Sequence, residues 1–259
     1  MNFRDYLSAQ DAVKNHYKKQ RQNQTLQYVR HMHQKYHNFH KHISIEKCFQ
    51  LLDDFIDVSD PDITLPNLHH LLQTAEAIRK DGHPEWLQVT GLIHDLGKLI
   101  YIKGSNKDGT SIQEQWGIVG DTYVVGCPLP KNIVYPEFNE LNPDHYYTEL
   151  GIYEKNCGLD ACYIAYGHDE FMYQVLKYNQ AKLPEEALYI VRYHSLYPWH
   201  KYGEYQDLMN EKDKKFLPWV KLFNKYDLYS KENSYVNVED LMDYYIPLVK
   251  KYIGTYLII

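Results

Sequence analysis

The sequence predicts an all-α protein, an antiparallel, bundle-like helical globule folded as a single domain over residues 1–259. Three observations lead there. Apolar residues recur at three- and four-residue steps in successive windows. No window shows the apolar–polar alternation of a half-buried strand. Gly, Pro, Asn and Asp fall between the periodic windows, where helices start and stop.

Residues 5–36 read as one long polar helix, with Tyr17, Leu26, Val29 and Met32 spaced loosely along it. Residues 44–56 form a second, striped by Ile45, Cys48, Leu51, Leu52 and Phe55. DVSDPDITLPN is a loop by its Asp, Ser and Pro content. Asn67 caps the helix LHHLLQTAEAIRKDG, whose end Gly82 marks. Pro84 takes the first position of the next helix, with Trp86, Val89, Ile93 and Leu96 on one side. Gly97 marks its end or a close approach of another backbone. Residues 103–111 read as an exposed insertion. Residues 112–147 carry Gly and Pro at short intervals and form a long irregular segment, a length that is often functional. Helical pattern returns at 148–156 and 159–166, then at 169–180 with Asp169 and Glu170 in the first turn. Pro184, Glu185 and Glu186 open a helix that ends near Ser195, and Pro198 breaks the chain. Helices over 215–229 and 237–251 complete the set.

A formal net charge of -6 gives no support for a nucleic-acid partner. No run is apolar enough to span a membrane. The 26 tyrosines suit walls that are part apolar and part hydrogen-bonding. None of Cys48, Cys127, Cys157 and Cys162 belongs to a C-x-x-C pair, and MNFRDYLSAQ lacks the apolar region of a secretory leader. The expectation is a cytoplasmic protein with free thiols.

The chemistry centres on His94-Asp95, set side by side in the oily run VTGLIHDLGKL. Burying such a pair is costly unless something compensates the charge, as a bound metal does. His70, His168, His194 and Asp227 occur in similar company. Taken singly, each is more often a satisfied core residue than a ligand; their recurrence raises the collective case. For His94-Asp95 the bland reading is a histidine bonded to a carboxylate at a helix end. Spacing does not choose between His69 and His70. Asp57, Asp60 and Asp62 lie in a polar loop, where solvation or capping is the default. Mixed imidazole and carboxylate ligation without cysteine suits Fe, Mn or Zn. Asp95 would join His94 on one metal or bridge two, and composition leaves hydrolysis and dioxygen activation both open. Lys98 follows His94 by four residues, on the same helix face. It is either a solvated lysine at a helix C-terminus or a positive charge over a substrate hydroxyl or phosphate. GxxxxGK[ST], GxGxxG and HExxH are absent.

His70, His94-Asp95 and the distant Asp227 resemble the metal-binding pattern of the HD-domain superfamily, most of whose members are phosphohydrolases. The intervening segments resemble one branch, the inositol oxygenases: QTAEAIRK, GLIHDLGK, QWGIVGDTYVVGC, YTELGIY, YGHDEFMYQV, RYHSLYPWH and LPWVKLFNKYDLY, with FRDY near the start. The resemblance runs from about residue 3 to 252. It implies a helical fold of the HD-domain type and two irons, mixed-valent Fe(II)/Fe(III). His70, His94, Asp95 and Asp227 would hold one and Asp95, His168 and His194 the other. It implies that Lys98, Asp57, Gly120, Asp121, His194 and Ser195 meet the substrate, directly or at its iron. Arg4 would help close the site from an N-terminal segment of about residues 1–40. The implied reaction turns myo-inositol and dioxygen into D-glucuronate and water, in a monomer. Two alternatives differ in chemistry: a metal-dependent HD-type phosphohydrolase, and a related di-iron oxygenase acting on another polyol or a phosphonate. Little basic charge beyond Lys98 and Arg192 accompanies the motifs, which counts against the first. A helical binding protein merely stabilised by metal is a third reading.

Overall fold

The computed structural model describes residues 4–62, 65–230 and 234–259; Phe3 of FRDY and Ile63 and Thr64 of the acidic loop lie outside them. Where one helix was expected over 5–36 there are two, α1 (Asp11–Asn23) and α2 (Leu26–Tyr36). Two side chains cause the break. The Thr25 hydroxyl accepts from the Tyr28 amide and caps α2. Gln24 holds the Tyr166 backbone at both ends, accepting from its N–H at 2.8 Å and donating to its carbonyl at 2.7 Å.

No strand was expected, yet β1 (His42–Ser44) pairs antiparallel with β2 (Tyr256–Ile258), His42 opposite Ile258. Three-residue strands are too short to show alternation, and the partner lies at the far end of the chain. Ser44 then caps α3 (Ile45–Leu52) by accepting from the Lys47 amide.

α4 (Asn67–Lys80) and α5 (Glu85–Ile93) pack against each other at the heart of the molecule. Pro66 and Pro84 occupy the cap positions, one residue before each helix, so Asn67 is helical rather than a cap and its side chain is spent elsewhere. Gly82, at φ +74, takes the chain out of α4. Every residue from Leu87 to Ile93 is buried, as expected of a helix apolar nearly all round. α5 thus delivers His94 and Asp95 into the interior. The chain continues as a 3₁₀ segment, Leu96–Lys103.

Around α5 stand α6 (His168–Tyr178), α7 (Glu185–Tyr193), the short α8 (Tyr197–His200), α9 (Glu211–Tyr229) and α10 (Val238–Tyr252). Pro198 lies within α8 instead of ending the helical run. One apolar cluster joins α3, α4, α5, α6 and α10 through residues such as Leu72, Leu92, Val175 and Tyr245. A second lies between α7 and α9, with Ile190, Tyr193, Phe216 and Val220. Each fully buried side chain of this kind contributes about 1.5–3 kcal/mol. Among the described residues, no helix is long and apolar enough to cross a membrane.

Two further expectations fail. Residues 148–156 and 159–166 are turns with one 3₁₀ turn, Leu159–Ala161. Their backbone groups are spent on the irregular segment: Val125 donates to the Tyr163 carbonyl at 2.9 Å and Ala165 to that of Tyr123 at 2.7 Å. Residues 103–111 are no loose insertion. Thr110 is buried, and Asp108 accepts from Lys35 Nζ at 2.5 Å and from the Tyr36 hydroxyl at 2.8 Å, tying the segment to α2.

Gly97 marks a close approach and not a helix end. A Cβ there would collide with the His168 carbonyl oxygen and lie 2.9 Å from Met172 Cβ. The 3₁₀ segment therefore seats directly on the start of α6. Gly97→Ala is expected to destabilise the fold by about 1–3 kcal/mol, the usual cost of overpacking. It should also displace His168. Urea unfolding with parallel metal analysis checks this; an unchanged midpoint would remove the close packing as the reason for glycine.

Candidate metal centre

The helix geometry brings six groups from five places in the sequence to one point. His70 lies in the first turn of α4, and His168 is the first residue of α6. His94 and His194 are the residues that end α5 and α7. Asp95 follows at φ -95, ψ 1, where α5 gives way to the 3₁₀ segment, and Asp227 comes from the last turns of α9. All six are buried.

Two sets of donors share Asp95: His70, His94 and Asp95, and Asp95, His168 and His194, each within 4.8 Å. Asp227 Oδ1 lies 2.9 Å from His70 Nε2 and 3.4 Å from His94 Nε2. Asp95 presents Oδ2 to His94 Nε2 at 3.6 Å and Oδ1 to His168 Nε2 at 2.9 Å. His69, the other member of its pair, points away; its Nδ1 accepts from the Val236 amide.

Backbone carbonyls orient three of the rings. Nδ1 of His94 donates to Gly91 O at 2.8 Å, that of His168 to Ile118 O at 2.7 Å and that of His194 to Val191 O at 3.0 Å. A carbonyl only accepts, so each Nδ1 carries a proton and Nε2 is the atom turned inward, able to offer a lone pair to a metal. The consequences fit a metal. Nε2 of His94 is buried with no hydrogen-bond partner. Nε2 of His168 and His194 face each other at 3.1 Å, two lone pairs in contact unless a cation or a proton stands between them.

The charges point the same way. Burial pushes the Asp95 carboxyl up, but Lys98, His94 and His168 together hold it well below the ordinary carboxylate range. For Asp227 the same burial is outweighed by His70 and His94. Asp57 is pushed up by burial yet brought down to about 2 by Lys98 and Ser59. Lys98 thus answers two carboxylates, Asp57 and Asp95, with one charge.

Lys98 is neither solvated nor free. It is 3% exposed, and Nζ donates to Asp57 Oδ2 at 2.7 Å, Asp95 Oδ2 at 2.8 Å and Asn67 Oδ1 at 2.8 Å. All three ammonium protons are engaged. Asp57 is likewise no solvated loop residue; its other oxygen accepts from the Ser59 amide and hydroxyl. Asp62 accepts from the Arg4 amide at 3.0 Å. The Arg4 guanidinium lies 3.5 Å above the centre of the Tyr197 ring and donates to Asp121 Oδ2 at 2.5 Å.

Apart from His94, every residue singled out from the sequence as ligand or substrate contact lines one cavity of about 70 Å³. Gly120, at φ +102, turns the irregular segment so that Asp121 enters it. The sequence reading passed over one residue. Along the chain Asp169 reads only as a favourable charge in the first turn of α6, but its Oδ1 accepts from Ser195 Oγ at 2.9 Å and lies 3.1 Å from His194 Nδ1. Such a carboxylate beside a ligating ring fixes its orientation and basicity. The signal was present: His168-Asp169 repeats the His-Asp dipeptide of residues 94–95.

Helix ends converging on four imidazoles and two carboxylates, in an all-α frame, define a helical metalloprotein with a buried mixed N/O centre. A model of the family described as myo-inositol oxygenase matches residues 10–258. The chain is 46% identical to an inositol oxygenase of Danio rerio, over 93% of this chain and 87% of that one. It is 45% identical to inositol oxygenase 1 of Arabidopsis thaliana, over 96% and 82%, and 44% to the inositol oxygenase of Bos taurus, over 97% and 88%. The chain belongs to the myo-inositol oxygenase family.

Proposed function

We propose that this enzyme cleaves the ring of myo-inositol with dioxygen, giving D-glucuronate and water, at two irons held as an Fe(II)/Fe(III) pair. The observation that carries the reading is Asp95, whose two oxygens face imidazoles on opposite sides: His94 at 3.6 Å from Oδ2 and His168 at 2.9 Å from Oδ1. In this reading His70, His94, Asp95 and Asp227 hold one iron, Asp95, His168 and His194 the other, with Asp95 as the bridge. The bound irons supply the redox chemistry of dioxygen reduction and a positive field for oxygen anions.

The remaining work falls to this chain's side chains. Lys98 lowers the cost of an alkoxide on the substrate. To reach it, the ammonium exchanges one of its three present partners for the substrate oxygen. Asp57 and Asp121 accept hydroxyl hydrogen bonds, so a sugar that misplaces one hydroxyl leaves a buried carboxylate unsatisfied. Ser195 and the Gly120 backbone complete the wall, and Asp169 steadies His194. Arg4, stacked on Tyr197 and paired with Asp121, closes the cavity from the N-terminal segment of about residues 1–40. The segment 112–147 keeps water from reactive species. The chain acts in this reading as one domain and a monomer in the cytoplasm, a reducing setting that suits its four free thiols.

A phosphohydrolase would want spare cations for phosphate. Among the described residues, the lysine and arginine that line the cavity, Lys98 and Arg4, are already bonded to carboxylates. The expected result for anaerobically purified, iron-loaded protein is oxygen uptake that depends on myo-inositol, with glucuronate formed mole for mole. Zinc as the bound metal with no such uptake, or phosphate release from a nucleotide panel, would overturn the reading.

A further inference from the structure

Away from Asp95, α2 and α6 bring a second set of donors together. His33 in the last turn of α2 and His37, the residue that ends that helix, are four residues apart, with ring centroids separated by 4.6 Å. Glu170, in the first turn of α6, faces them. One ligand atom from each of the three residues lies within 4.8 Å of the others. Nε2 of His33 and Nε2 of His37 are both buried with no hydrogen-bond partner. Leaving two such atoms unpaired is costly, and native structures rarely tolerate it without an occupant. Glu170 is 3% exposed; its oxygens each accept one bond, from Arg192 Nε at 2.7 Å and Gln174 Nε2 at 2.7 Å. Each oxygen keeps a lone pair to give.

We propose that His33, His37 and Glu170 form a further metal site that takes one divalent ion of the zinc class. Two imidazoles and one carboxylate are a zinc donor set that leaves a fourth position for water. Histidines one helical turn apart present both rings to one ion. Burial depresses both imidazoles, His37 to about 4, so both are neutral around neutral pH. Because both histidines are only partly buried, the ion has a way in from solvent.

The surrounding charge sets the character of the site. Arg192 on α7 and Lys103 on the 3₁₀ segment both act on His37, and Arg30 lies over the neighbouring Tyr163 ring. These cations weaken a divalent ion, so the site fills with the free ion concentration and not permanently. Glu170 is two residues beyond His168. An ion here ties α2 to the helix end that carries His168 and steadies it. The site does not depend on which metal fills the centre at Asp95.

The test uses full-length, iron-loaded protein titrated with Zn²⁺, with iron and zinc measured after desalting. About one zinc per chain is expected beyond the iron. The double variant His33→Gln/His37→Gln should keep its iron and lose zinc affinity by at least about tenfold. Zinc uptake matched by iron loss, no uptake at all, or equal uptake in the variant would overturn the proposal. Should the double variant misfold, anomalous scattering at the zinc edge from crystals of the unaltered protein decides the same point. An ion between α2 and α6 supports the site, and one found only elsewhere refutes it.

Discussion

Replacing Asp95 with Ala is expected to empty both halves of the centre and to lower turnover by more than about 100-fold, the upper cost of disturbing an outer partner of a metal ligand. Asp95 is the one carboxylate shared by both donor sets, so its loss subtracts a charge and a ligand from each. It also removes one of the three partners of Lys98. The remaining ligands keep their backbone tethers at Gly91, Ile118 and Val191, so the secondary structure should persist. Iron per chain by elemental analysis, with circular dichroism as the control for folding, checks the outcome. Two irons retained by a folded Asp95→Ala protein would exclude the bridge.

Lys98→Met should cost both stability and inositol turnover. The substitution roughly keeps volume but strands Asp57 and Asp95 without their shared counter-charge. Breaking a buried pair in this way typically costs about 3–5 kcal/mol. The pH dependence has a definite sign. Asp57 is depressed in the folded protein to about 2, below its unfolded value of about 3.9. Its contribution is therefore full above the unfolded value and is lost as pH falls through the folded one. Without Lys98 that depression disappears. The gap between the two proteins should be wide at pH 7 and shrink on acidification toward pH 2. Urea midpoints across this range measure it, and kcat/KM for myo-inositol measures the catalytic part. A stability gap that does not change with pH would place the effect in packing and not in the ion pair. Unchanged inositol kinetics would remove Lys98 from the site.

The elements legible in the sequence were those whose signals are local. Asp169 and Glu170 announced the start of α6, and Pro184 followed by two glutamates that of α7. Gly82 marked the exit from α4. What was misread depended on distant backbone. Residues 159–166 carry a helical apolar pattern, but Tyr163 and Ala165 are held by hydrogen bonds to residues 123–125, which no local window contains. β1 and β2 meet across more than 200 residues. The single helix over 5–36 breaks because Gln24 is needed at Tyr166, 142 residues away.

The candidate centre divides the same way. By itself, the sequence determined which residue types were costly to bury and therefore demanded a partner: His94-Asp95 in an oily run, with His70, His168, His194 and Asp227 in kindred settings. Its long ordered motifs also determined the family. Only the tertiary structure decided how those groups meet. It turned Nε2 of His94, His168 and His194 inward by spending Nδ1 on a carbonyl, engaged every proton of Lys98, brought Asp57 to Lys98 from its loop and set Asp169 behind His194. Burial cost is a property of a residue and its near neighbours, and so can be read along the chain. Hydrogen-bond partners and lone-pair directions belong to groups that meet only when helix ends converge.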